Sequence, residues 1–266
     1  LVGWADPLIG MSPLPTRGSC MDTTLEGRRV LVVGASSGIG AAFAKAVAAA
    51  GGQVSVSARR SDRLEQLVAE MGTGHAVPGD ATNPDDARTV AAAAAEAMGG
   101  LDLMLYVAGY GVLQPLVETD PETWVDVFRV NVVGANLAAA AALDHLDQDG
   151  IAAFVSSRTV EDGNPLFASY SATKAALDQC IRVWRYEHPD RRFVRVVMGN
   201  TAPTEFADHM RPERLGEALE AWQRRAIPGG MMDVDDVGRA LAETFAVALD
   251  HPEIDTSEIK FDARTV

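Results

Sequence analysis

RVLVVGASSGIG, residues 29–40, is the stretch that decides the fold. Val30 to Val33 form an apolar run without polar alternation, the pattern of a strand covered on both faces. Glycines follow at 34, 38 and 40. So tight a turn needs positions free of Cβ clashes, and a phosphate can approach backbone only where side chains are absent. A helix predicted from Gly38 would aim free N–H groups and its positive dipole end at the loop. A glycine pattern alone equally describes an ordinary strand–helix turn, so its position in the chain carries the weight.

Outward from this stretch, β-rich runs alternate with alanine-rich helical ones. QVSVSA (53–58), HAVPGD (75–80), LDLMLYVAG (101–109), IAAFVSS (151–157) and FVRVVM (193–198) read as strands. Helices are predicted at 38–50, 61–70, 84–98, 121–143 and 168–188. After an irregular stretch come helices at 213–226 and 234–249 and a last strand, SEIKFD (257–262). Strict alternation means parallel strands joined by right-handed crossovers. The expectation is an α/β, Rossmann-type, doubly wound parallel sheet of about seven strands with helices on both faces. No linker or repeat divides it, so residues 25–266 read as one domain. Residues 1–24, with Asp6, Pro7, Pro13 and Pro15 and no continuous apolar stretch, read as a loosely ordered extension rather than a secretory signal.

At 266 residues and 47% hydrophobic, the chain can bury a sizeable core. A net charge of −14 argues against nucleic acid or an anionic membrane as main partner, since no basic surplus exists to neutralise phosphates. No run has the length expected of a membrane span. Two cysteines, Cys20 and Cys180, make neither a disulfide framework nor a metal cluster, which points to a cytoplasmic setting and no metal.

In SYSATKAAL (169–177), Tyr170 precedes Lys174 by four residues. That spacing puts both on one helix face, about 6 Å apart along the axis. A nearby cation favours the phenolate and is expected to lower the Tyr170 pKa. A phenol tuned in this way can exchange a proton with an alcohol or ketone oxygen.

The spacing G-x-x-x-G-x-G in residues 34–40, with YSATK downstream, resembles the short-chain dehydrogenase/reductase family, compact single-domain branch, over nearly the whole chain from Arg28. The resemblance implies an oxidoreductase that moves hydride between a nicotinamide cofactor and a carbonyl or secondary alcohol. Tyr170 would be the acid/base, Lys174 would also hold the ribose, Ser157 would bind the substrate oxygen, and Asn131 would relay protons through a water. Singly, these residues have structural explanations: a chance helix-surface pair, a strand-end cap, a surface amide. Their order and spacing together favour the catalytic set. A non-catalytic NADP(H)-binding sensor or scaffold is the alternative. Such sensors typically lose the tyrosine or the lysine, and this chain keeps both. A nucleotide-sugar dehydratase or epimerase would usually need a larger region after Thr204.

The resemblance also places a cofactor along Gly34, Ser36, Ser37, Gly38, Ile39 and Gly40. Enzymes that prefer NAD place an acidic residue at the end of the second strand. Here Ala58 is followed by Arg59 and Arg60, and an arginine fork suits a phosphate dianion, so NADP(H) is expected over NAD(H). Solvated arginines at a helix start would look the same. Asp80, beside Ala81, matches the residue that meets the adenine, and Ala108 and Gly109 form the adenosine wall. Gly199 stands in the loop after the sixth strand, and Thr204 fills the place of a threonine that meets nicotinamide and pyrophosphate. Two departures stand out: Tyr106-Val107 replaces a pair of asparagines, and Met198-Gly199 replaces Pro-Gly. The substrate pocket is expected from residues 110–114, 159–167 and 206–232, the last resembling a mobile lid or a covering helix pair. A homo-oligomer, dimer or tetramer, is expected through an outer face holding Ala138, Ala139, Ala142, Leu177, Ile181 and Trp184. The opposing possibility is that these residues face the sheet.

Overall fold

The computed structural model describes residues 24–227 and 229–264, so all but the last residue of the expected extension lies outside the described residues. In chain order, β1 (Arg29–Val33), α1 (Gly38–Ala49), β2 (Gln53–Ser57), α2 (Ser61–Met71), β3 (His75–Ala76), α3 (Pro84–Met98) and β4 (Leu101–Tyr106) form the first half. Next, α4 (Pro121–Phe128), a π-helical turn (Arg129–Gly134) and α5 (Ala135–Leu143) run as one rod into β5 (Leu146–Ser157). Then come α6 (Thr159–Asp162), α7 (Ala168–Glu187), β6 (Arg192–Met198), β7 (Thr201–Ala202) and a 3-10 turn (Glu205–Ala207). The chain continues through α8 (Pro212–Arg224), β8 (Met232–Asp233), α9 (Val234–Asp250) and β9 (Glu258–Phe261).

The strands form a seven-stranded sheet in the order β3-β2-β1-β4-β5-β6-β9, parallel throughout. The order reverses between β1 and β4, which opens a crevice at their carboxyl ends where ligands bind in such sheets. This is the doubly wound Rossmann-type fold. Side chains alternate across the pleat: Val30 and Val32 face one core with Phe43 and Phe245, while Leu31 and Val33 face the other with Phe154 and Leu177. Phe43 of α1 meets Phe245 of α9 edge-on, with centroids 6.0 Å apart. Gly238 of α9 is glycine because a Cβ would sit 2.6 Å from the carbonyl carbon of Ala42.

Three features differ from the sequence reading. β3 stops at Ala76, although Val77 and Gly79 still donate to the carbonyls of Val56 and Ala58 at 2.9 and 3.1 Å. β5 begins at Leu146, five residues early. The helix over 121–143 contains the π turn, which periodicity does not reveal. That rod is long and apolar enough by composition to cross a bilayer, but half of its apolar window is buried inside the fold. Its buried alanines are what let it lie close to the sheet.

The expected outer face is also corrected. Ala138, Ala139, Ala142, Leu177 and Ile181 are all buried against the sheet, and Trp184 packs on the same core. The side chains on these helices that reach solvent are others, among them Val125, Phe128, Val133, Val183 and Tyr186.

Candidate active site

The loop after β1 lies against the start of the segment that follows β4. Gly34 has φ +103°, and a Cβ there would collide with the backbone of Ala108. A Cβ on Gly40 would be 2.9 Å from Val107 and would also run into the Gly34 carbonyl. Gly38 has φ +56°, and its Cβ position is 3.3 Å from the Cβ of Thr204, which therefore lies beside the loop. Ser37 caps α1 in extended conformation without a side-chain bond to it, and the first turn of α1 carries no acidic residue. Such a helix start is built for an anion.

Arg60, rather than Arg59, is the arginine that reaches the loop. Both arginines are exposed, but Arg60 Nη2 donates to Ser36 Oγ at 2.8 Å and Ser37 Oγ at 3.4 Å. The same Nη2 pairs with Glu205 at 2.8 Å, and Arg63 approaches that carboxylate at 3.9 Å. The hydrogen bond from Arg60 is the main reason the Glu205 carboxyl titrates below its usual range. Glycines that a Cβ would fill, a helix start, two hydroxyls and a guanidinium fit a dinucleotide phosphate.

At the carboxyl end of β5 stands Ser157, and α7 presents Tyr170 and Lys174 one turn apart. Ser157 Oγ accepts from Thr159 N–H at 3.2 Å and from Thr159 Oγ1 at 3.0 Å, and its hydroxyl stands where it favours the Tyr170 phenolate. Lys174 is buried, donates to the Val155 carbonyl at 2.8 Å, and has its Nζ 5.6 Å from the Tyr170 ring centre. Asn131, in the π turn, is fully buried. Its Nδ2 donates to the Tyr110 carbonyl at 2.8 Å and to Thr173 Oγ1 at 2.9 Å, and its Oδ1 accepts from Tyr110 N–H at 2.9 Å. Gly109 lies between the groups: a Cβ there would be 3.8 Å from Asn131 Oδ1 and 3.9 Å from Lys174 Nζ.

The expected tuning of Tyr170 is not what the surroundings produce. Burial pushes its pKa up to about 12, with the Ser157 hydrogen bond opposing. Burial also lowers Lys174 to about 8, outweighing the attraction of Asp178. Low polarity penalises both charges, so it favours the protonated phenol and weakens the ammonium.

The three segments expected to shape the pocket do meet: Leu113, Phe167, Phe206, Met210 and Trp222 join Tyr170 in one apolar cluster. Residues 28–217 match the family model for short chain dehydrogenases. The chain belongs to the short-chain dehydrogenase family.

Among relatives of this short-chain dehydrogenase, glucose 1-dehydrogenase of Gluconobacter oxydans is 33% identical over 173 residues, covering 62% of this chain and 65% of that enzyme. Galactitol 2-dehydrogenase (L-tagatose-forming) of Cereibacter sphaeroides is 33% identical over 205 residues, covering 74% of this chain and 80% of that one. A short chain dehydrogenase from Burkholderia cenocepacia in complex with NADP superposes with a TM-score of 0.76 at 27% identity, covering 90% of this chain and 97% of that one. An alcohol dehydrogenase from Thermococcus sibiricus complexed with 5-hydroxy-NADP gives 0.74 at 25% identity, covering 88% and 96%.

The two departures from the family pattern have local explanations. Tyr106 is fully buried and its hydroxyl donates to the Val130 carbonyl at 2.7 Å, tying β4 to the π turn as the missing amides would tie strands. Gly134 accommodates it, since a Cβ would come within 2.5 Å of that hydroxyl. A Cβ on Gly199 would come within 2.5 Å of Asp262, whose carboxylate takes Arg158 Nη1 at 2.6 and 2.8 Å. Arg158 also binds Asp162 at 2.8 Å, so the residue after Ser157 is clamped to α6 and to the end of β9. Motif reading missed Arg158, because Asp262 is remote in sequence and only the fold brings the two together. Asp80 Oδ1 accepts from Thr82 N–H and Oγ1 at 2.9 and 2.8 Å, which fixes the turn after β3 beside Ala81.

Proposed function

We propose that this short-chain dehydrogenase interconverts a carbonyl compound and a secondary alcohol with NADP(H). The observation that carries the reading is the convergence of Ser157, Tyr170, Lys174 and Asn131 beside Gly109, which adjoins the wall of the glycine loop. When bound, NADPH supplies the hydride. Ser157 holds the substrate oxygen with its hydroxyl, and Tyr170 delivers a proton to that oxygen as it gains charge. Burial keeps Tyr170 protonated near neutrality, the form that has a proton to give. Lys174 holds the ribose hydroxyls and, when protonated, steadies the phenolate left behind. Asn131, fixed by Tyr110 and Thr173, holds the water that returns a proton toward Lys174.

Arg60 with Ser36 and Ser37 supports NADP(H) over NAD(H), because a guanidinium and two hydroxyls match a 2′-phosphate. The NADP complexes of the Burkholderia and Thermococcus proteins point the same way. The exposed apolar side chains on α4, the π turn and α7 support a homo-oligomer.

The test is Tyr170→Phe in a turnover assay with NADPH and a panel of ketones. The variant removes the proton donor and almost no volume. The expected outcome is normal cofactor binding with turnover lower by about 10²- to 10⁴-fold. Near-normal rates would overturn the mechanism.

A further inference from the structure

The walls beside Tyr170 are made of carbon. Phe167, itself buried, stacks on the Tyr170 ring with centroids 4.4 Å apart and planes at 16°. Phe206 meets Tyr170 edge-on at 5.3 Å and Phe167 at 6.2 Å. Trp222 lies 6.0 Å from Phe167. Leu113, Met210 and Ala218 complete the enclosure. It closes this tightly only because residue 111 is glycine: a Cβ would fall 2.9 Å from Tyr170 Cδ2 and 3.0 Å from both Phe167 Cε2 and Phe206 Cζ.

Several polar groups bordering the enclosure are already engaged, while Gln114 Oε1 and Asn164 Oδ1, in the segments that shape it, are buried without a hydrogen-bond partner. Trp222 Nε1 donates to the Pro165 carbonyl at 2.8 Å. His209 stacks on Tyr110 with centroids at 4.9 Å and bonds the Gly111 carbonyl at 2.7 Å. Glu205 is held by Arg60, and Arg214 by Glu118 and Glu217. A polyhydroxylated substrate would surrender its hydrogen bonds to water against Phe167, Phe206 and Trp222 and find few in exchange. A flat apolar group would instead stack or pack edge-on, as these rings do with one another.

We infer, resting on the hydride-transfer reading above, that the substrate is a carbonyl compound bearing a flat apolar or aromatic substituent, held among Phe167, Phe206 and Trp222. This separates the protein from the sugar and sugar-alcohol substrates named for its Gluconobacter and Cereibacter relatives.

The experiment uses the full chain and begins with NADPH binding by fluorescence titration. Reduction of acetophenone and 1-tetralone is then compared with reduction of D-fructose and L-tagatose. The expected kcat/KM for the aryl ketones is higher by roughly a hundred-fold, the scale at which pocket contacts discriminate. Equal or better turnover of the sugars overturns the substrate class and leaves hydride transfer standing. NADPH binding with no turnover of any of the four overturns hydride transfer and the inference with it. Trp222→Ala and the milder Phe206→Leu should each raise KM for 1-tetralone by about tenfold with NADPH affinity unchanged. An unmoved KM in folded Phe206→Leu would show that the ketone is held elsewhere.

Discussion

Arg60 and Glu205 form an ion pair of 2.8 Å at the glycine loop, so a carboxylate from the 3-10 turn already occupies the cation suited to a phosphate. On the proposed reading, Glu205 and a cofactor phosphate would compete for Arg60. Glu205→Gln keeps the shape and removes the competitor. It should tighten NADPH binding about two- to fivefold, the worth of an exposed ion pair, and leave NADH nearly unchanged. Arg60→Ala should weaken NADPH about ten- to a hundred-fold by losing a charge-assisted phosphate contact, and should do so far more than Arg59→Ala. Fluorescence titration of the four proteins with both cofactors reads this directly. Equal affinity of the unmutated protein for NADPH and NADH would remove Arg60 from the phosphate site.

Tyr106→Phe leaves the part-buried Val130 carbonyl without the hydroxyl that serves it. The expected loss is about 1–3 kcal/mol of stability in urea unfolding. Gly134→Ala should destabilise as well, by pushing a methyl into that hydroxyl. An unchanged midpoint for Tyr106→Phe would mean the bond contributes nothing to tying β4 to the π turn.

Lys174 gives a pH signature. Its folded pKa of about 8 lies below the ordinary 10.5, so between these values the unfolded chain binds more protons than the folded one. Stability therefore rises as pH increases from 8 towards 10.5 and is lost as pH falls back through 8. Above pH 10, Tyr170 works the other way, since its folded pKa is raised to about 12. Denaturant midpoints of wild type and Lys174→Met at pH 7 and pH 9.5 should differ in slope, with the wild type gaining over this range and the variant lacking that gain. Parallel profiles would contradict the buried, weakened ammonium.

Assembly can be weighed by light scattering. Val125, Phe128 and Val183 are 53%, 43% and 41% exposed, a cost in water that a copy of the same helices across a two-fold axis would relieve. The expected mass is a multiple of 28.2 kDa at micromolar concentration, and Phe128→Glu should lower it. Active protein with the mass of one chain would exclude the oligomer.

The sheet was legible because buried parallel strands write themselves as apolar runs, and Gly34, Gly38 and Gly40 mark the only backbone that could turn there. Tyr170 and Lys174 were legible through helical spacing. What stayed hidden depends on the third dimension. Periodicity does not separate the inner from the outer face of a helix made of alanine, so nothing local reveals that Ala138, Ala139 and Ala142 lie against the sheet. The choice of Arg60 over Arg59 rests on the direction in which α2 begins. The pKa values rest on how completely the site is enclosed, which no local pattern encodes.

Asp262 sits just beyond the last strand, far from the proposed catalytic residues in sequence, yet it grips the residue adjoining Ser157. In a mutational scan scored by activity alone, its loss would masquerade as the loss of a catalytic group, because releasing Arg158 frees the neighbouring serine. For anyone building fusions or trimming the protein for crystallisation, cutting upstream of Asp262 would sacrifice the alignment of a hydroxyl on a different strand.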